Sequence, residues 1–139
     1  MLAVCIPVYN QKVERLVSDL VAQSHYLQEE VSIVIMDDAS SEAFQGQYDN
    51  LRMYANIVQL KKNIGRSKIR NAFLQHTSAE YLLFLDCFVY LNLKQLLELV
   101  FRLSAAAGSQ KPVTKYSCLS FVLIQMLKPE NSSSNSSLD

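Results

Sequence analysis

The sequence predicts an α/β protein in three layers, a mostly parallel sheet covered by helices on both faces. Three observations carry that prediction. Apolar runs at Leu2–Val8, 31–36, 56–60 and 80–85 read as strands, the first two nearly continuous in hydrophobic residues, as strands buried on both faces are. Segments at 11–23, 40–54 and 66–76 fall between them and read as helices, so each strand feeds a right-handed crossover to a parallel neighbour. Three of the strands run out into chemically committed clusters: Pro7-Val8-Tyr9-Asn10, Asp37-Asp38-Ala39-Ser40 and Asp86. In an open parallel sheet ligands bind just beyond the carboxyl ends of strands, so these clusters describe a pocket mouth.

The elements follow in order. Val13, Leu16, Val17, Leu20 and Val21 have helical spacing within 11–23. Ser40-Ser41 opens a shorter, weaker helix reaching about Tyr54, and 56–60 is a short, edge-like strand. Asn63-Ile64-Gly65 is a turn, after which 66–76 turns Ile69, Ala72 and Phe73 inward and Lys68, Asn71 and Gln75 outward. Beyond Asp86 the character changes. Leucines at helical spacing mark 91–103, 113–127 is an apolar stretch readable as strand or helix, and 131–139 is serine- and asparagine-rich and expected to be disordered. The expected organisation is a core over 1–90, a completing or extending segment over 91–128 and a tail over 129–139.

With 139 residues, half of them apolar, the chain can bury one ordinary core. Lysine plus arginine equals aspartate plus glutamate at 13 each, so no global field draws it to nucleic acid. Locally the charge is uneven. Lys61, Lys62, Arg66, Lys68 and Arg70 fall within ten residues free of acids, whereas 37–49 carries acids alone. Such a pairing suits an anionic ligand with a cation, or equally two solvated faces. Cys5, Cys87 and Cys118 form no Cys-x-x-Cys pair, which fits a reducing compartment and neither a disulfide framework nor a zinc site. His25 and His76 read as surface residues. With no signal peptide and no apolar run long enough to span a bilayer, the expected location is cytoplasmic, the inner face of a membrane included.

Each cluster has a chemical reading beside a plainer one. Tyr9 offers a ring for stacking on a base, or ends an ordinary strand-exit turn. The adjacent Asp37 and Asp38 repel each other, so one finds a donor while the other is free for a ring N–H or a ribose hydroxyl; the plainer reading is a helix cap. Gly65 at a helix start, with Arg66 and Arg70 four residues apart, suits phosphate or makes a solvated basic face. Asp86 offers one oxygen ligand to a hard divalent cation, or caps a loop.

Taken together, Cys5-Ile6-Pro7-Val8-Tyr9-Asn10, Ile33-Val34-Ile35-Met36-Asp37-Asp38-Ala39-Ser40, Asn63-x-Gly65-x-x-x-x-Arg70-Asn71-Ala72 and Leu83-Phe84-Leu85-Asp86 resemble the nucleotide-sugar-binding half of the family-two glycosyltransferases. The resemblance runs from Leu2 to about Asp86. It implies a Rossmann-like GT-A fold, incomplete relative to the family, and transfer of a sugar from a nucleotide-diphosphate donor, with a UDP-sugar as the expected ligand. Carried over residue by residue, Pro7 and Tyr9 would pack on the base and Asp38 would read uracil or a similar ring. Arg66 and Arg70 would lie near the diphosphate, and Asp86 would be the first member of an Asp-x-Asp motif holding manganese or magnesium.

The chain departs from the family pattern in two places. Phe88 stands where the second metal-binding carboxylate belongs, and the segment after Cys87 does not read like the acceptor-binding half, where the family's base deprotonates the acceptor hydroxyl. Truncation, a frameshift or degeneration would each produce this pattern, and the expected activity of the chain alone is impaired. A non-catalytic nucleotide-binding module is the alternative, self-associating through the apolar segments 91–103 and 113–127. A phospho-receiver-like domain ranks third, because its acidic pair should follow the first strand, not the second. A dinucleotide-binding domain ranks below it for want of a Gly-x-Gly-x-x-Gly.

Overall fold

The structure is a computed structural model that describes residues 1–26, 30–79, 81–86 and 95, together with the backbone of 118–119 and 122–126. Four parallel strands form its centre: β1 (Leu2–Val8), β2 (Val31–Asp37), β3 (Asn56–Gln59) and β4 (Tyr81–Leu85). The helices between them are α1 (Glu14–Ser24), α2 (Glu42–Gln45), α3 (Tyr48–Leu51) and α4 (Arg66–Phe73). Among the described residues two further strands, β5 (Cys118–Leu119) and β6 (Val122–Met126), complete the order β3-β2-β1-β4-β6-β5. β6 runs antiparallel to β4, with Leu83 opposite Ile124, and β5 runs antiparallel to β6. The stretch 113–127, open between strand and helix in the sequence, thus contributes strands, and 122–126 sits inside the sheet between β4 and β5.

Side-chain alternation along the strands builds the three layers. Val4, Ile6, Ile35 and Leu83 point to one face, where α1 covers them with Val13, Val17 and Leu20. Those helix positions are four and three residues apart, so a single stripe of α1 meets the sheet. Ala3, Cys5, Val34, Met36, Leu82 and Phe84 point to the other face, under Ile69 and Phe73 of α4. Phe73 stands edge-on to Phe84, with ring centroids 5.6 Å apart and planes at 84°, a geometry that suits the aromatic quadrupole. Burial pushes the Cys5 thiol up to about 12. It packs as a protonated apolar group and not as a nucleophile. His25 and His76 are exposed, in line with the sequence.

Three boundaries differ from the sequence pattern, each for a local reason. α1 starts at Glu14 because Gln47 takes the preceding backbone: its Oε1 accepts from Val13 N–H at 2.8 Å and its Nε2 donates to the Gln11 carbonyl at 2.8 Å. The single helix expected over 40–54 is two short ones. Gly46 is a weak helix former, and the Gln47 amide also donates to the Phe44 carbonyl at the end of α2, at 2.9 Å. α4 stops at Phe73, and the N–H groups of Leu74, Gln75 and His76 bond three residues back in a tightened last turn. Of 91–103 only Gln95, helical, is among the described residues. The expected tail 131–139 lies outside them.

Candidate functional site

The path of the chain creates the site. From β1 it moves outward through β2 to β3, then crosses back over the opposite face to place β4 on the other side of β1. The strand order reverses between β1 and β4, and such a reversal leaves a crevice beyond the carboxyl ends where ligands bind in open α/β sheets. The exits of β2, β1 and β4 therefore line up side by side, carrying Asp37-Asp38, Tyr9-Asn10 and Asp86. The three clusters distant in sequence share one edge of the sheet, as their positions at strand ends require.

Buried polar groups stitch the exits of β1 and β2 together. Asp38, 5% exposed, turns its carboxylate towards the turn before α4: Oδ1 accepts from Ile64 N–H at 2.7 Å and Oδ2 from Gly65 N–H at 3.0 Å. Its own N–H donates to the Val8 carbonyl at 2.8 Å. One residue thereby ties the exits of β1 and β2 to the start of α4. Asp37, 1% exposed, accepts through Oδ1 from both the N–H (3.1 Å) and the hydroxyl of Ser40, while its Oδ2 is buried with no hydrogen-bond partner among the described residues. Ser40 Oγ in turn accepts from Asn10 N–H at 2.8 Å, and Asn10 Oδ1 accepts from Ser41 N–H at 2.9 Å.

Backbone conformation at the exits is equally specific. Asn10 (φ 50°) and Ala39 (φ 62°) occupy the left-handed region. Asn tolerates it, whereas for alanine it costs about 1–2 kcal/mol. Bonds on both sides of Ala39, from Asp38 N–H and from Ser40 N–H, hold it there. Gly65 precedes α4 at φ 82°, ψ 166°, a region open essentially to glycine alone. A Cβ added there meets no described residue within 4 Å, so the cost of substitution among them is conformational. Gly65→Ala is expected to lower stability by about 1–3 kcal/mol. A urea midpoint within error of the parent would show that the turn relaxes freely.

Of the residues singled out from sequence, Pro7 is half-buried and Tyr9 is 52% exposed at the end of β1. Arg66 and Arg70 are exposed on α4, and the Arg70 guanidinium carbon sits 5.9 Å from the centroid of the Phe84 ring, within cation–π range. Asp86 is half-buried just past β4. Phe88 lies outside the described residues. Among the described residues no group of three or more His, Cys, Asp or Glu is placed to hold a metal ion. Asn10, Ser40 and Gln47 also build the site; the sequence places Asn10 and Ser40 in the strand-exit clusters without giving them a ligand role. Short polar residues beside a buried acidic pair were the available signal, and Gln47 gave none.

A four-stranded parallel core with its crevice between β1 and β4 defines the Rossmann-like class to which the GT-A glycosyltransferases belong. Residues 3–111 match the family described as Glycosyl transferase family 2, well over half of the chain, and the chain belongs to that family. Solved structures share the fold at low identity. S. aureus TarS in complex with UDP-GlcNAc is 21% identical with a TM-score of 0.57, over 84% of this chain and 38% of that one. The mannosyltransferase PcManGT from Pyrobaculum calidifontis, in complex with GDP-Man and Mn2+, is 20% identical with a TM-score of 0.53, over 62% of this chain and 27% of that one. The chain thus spans roughly a quarter to two-fifths of the length of these structures. No curated protein matches significantly. No helix among the described residues is long and apolar enough to cross a membrane.

Proposed function

We propose that this chain binds the nucleotide of a nucleotide-sugar donor, UDP-sugars first, and so serves the donor side of glycosyl transfer. What supports the proposal is that Asp38 at the β2 exit binds the turn before α4 while Tyr9 follows the neighbouring strand β1, beside the crevice expected at the strand-order reversal of a family-two fold. Tyr9 presents a half-exposed ring at its mouth, with Pro7 fixing the chain beneath it. The Asp38 carboxylate has about four lone-pair sites, two of them used by Ile64 and Gly65, so it can still accept from a base N–H. Arg66 and Arg70 supply positive charge for the diphosphate, where a leaving group's charge needs stabilising. Asp86 offers one oxygen to a divalent cation and Phe88 none, which leaves the arginines the larger share of that charge.

Titration calorimetry of the whole chain with UDP, with and without manganese, tests this. Saturable binding is expected, weakened at least tenfold by Tyr9→Ala, with little gain from manganese until Phe88→Asp restores a second carboxylate. If neither substitution changes the binding isotherm, the assigned site is wrong. Phe88 also favours a second reading, a module that binds nucleotide without turnover. Incubation with UDP-GlcNAc separates the two: release of free sugar supports transfer chemistry, and binding without release supports the module.

A further inference from the structure

We propose that Asn10 is a positioning residue whose reciprocal hydrogen bonds with Ser40 and Ser41 hold the Tyr9 ring in place for a nucleotide base, an inference that rests on the nucleotide-binding reading above. Tyr9 is flanked on one side by Val8, fixed in the sheet by its pairing with Asp37. On the other side it depends on what holds Asn10. There the backbone turns left-handed at φ 50°, and this reversal sets the direction of the chain leaving the ring. Two bonds fix it: Asn10 N–H donates to Ser40 Oγ at 2.8 Å, and Asn10 Oδ1 accepts from Ser41 N–H at 2.9 Å.

The latch is directional. The Ser40 hydroxyl gives its proton to Asp37 Oδ1, so the oxygen facing Asn10 N–H presents a lone pair. Asp37 is almost fully buried at the end of a central strand, which makes it a rigid anchor. One and three residues further on, Gln47 secures Gln11 and Val13. The loop bearing Tyr9 is thus clamped to the segment after β2 at both ends, and the ring's own backbone link passes through Asn10. Remove the Asn10 acceptor, and a half-exposed ring must be ordered by the ligand itself. The entropy of fixing one such side chain corresponds to about a three- to tenfold loss of affinity.

Asn10→Gly keeps the left-handed backbone and removes the acceptor, whereas Asn10→Asp keeps both. Each variant is made in the full chain labelled with 3-fluorotyrosine, the Tyr9 fluorine resonance being assigned by its loss in Tyr9→Phe, and its fold is checked by circular dichroism. In Asn10→Gly the Tyr9 resonance should narrow and move towards the value of free tyrosine. UDP affinity should fall three- to tenfold while affinity for inorganic pyrophosphate, which has no base, stays constant, and Asn10→Asp should restore both. An unmoved Tyr9 resonance in Asn10→Gly overturns the proposal, as does an equal loss for UDP and pyrophosphate, which marks a general structural role. If the parent chain takes up no UDP, the nucleotide reading fails, and the Tyr9 resonance still decides whether the latch holds the ring.

Discussion

Phe73→Ala is expected to destabilise the chain by about 4 kcal/mol, the usual cost of emptying a buried phenylalanine site. Phe73 is fully buried and is the larger of the two α4 residues that close the second face of the sheet. Its loss also removes the edge-to-face contact with Phe84, whose ring carries the Arg70 guanidinium on its surface. Against a total stability of about 5–15 kcal/mol, such a loss leaves the domain marginal. A thermal melt followed by circular dichroism should show the midpoint falling by more than about 10 °C. Phe73→Leu, which refills most of the volume, should cost far less. If the two variants melt together, refilling the volume recovers nothing and the ring geometry itself carries the stability.

Asp38→Ala is expected to cost about 3 kcal/mol, a large effect for a loop acid. Two backbone donors, on Ile64 and Gly65, lose a charged acceptor in a partly buried setting, and each such loss is worth about 1–3 kcal/mol. The carboxylate also sits at the start of α4, where negative charge is favoured by the helix dipole. Asp38→Asn keeps one acceptor oxygen and should recover about half. Urea unfolding of the three proteins measures the series. A loss below about 1 kcal/mol for the alanine variant would mean that water replaces the carboxylate at no cost. The two roles of Asp38 also make a specific demand on any binding assay: the alanine variant loses the shape of the turn along with the base acceptor, so Tyr9→Ala is the cleaner probe of base contact.

Most of the sheet was legible because its strands write their burial directly into composition. β1 needed no tertiary information, since seven residues from Leu2 to Val8 have nowhere to go but between two helical layers. The same holds for the exits: Asp37, Asp38 and Asp86 end strands, and parallel strands end on one edge. What the sequence could not reveal depends on contacts between residues 26 or more apart. Gln47 looks like any helical glutamine until the loop after β1 is laid beside it, when it becomes the support for Gln11 and Val13. Asp38 was read as facing a ligand, and nothing local says that its carboxylate also reaches Ile64 and Gly65 across the gap between two crossovers. The segment 113–127 was ambiguous because a short apolar run satisfies a strand and a buried helix alike. Its antiparallel pairing with β4 resolved that.

The position of β1 has a kinetic consequence. Its residue Leu2 pairs with Val31 on one side and with Tyr81 on the other. During synthesis the first partner arrives early and the second only after the whole intervening crossover has emerged. Pairings so remote in sequence are slow, because loop closure must precede any reward from contact. Until β4 docks, β1 is an apolar strand with one unsatisfied edge, the kind of surface that recruits other nascent chains or a chaperone. The strand that later frames the crevice thus waits longer for its second partner than β2 or β4 does.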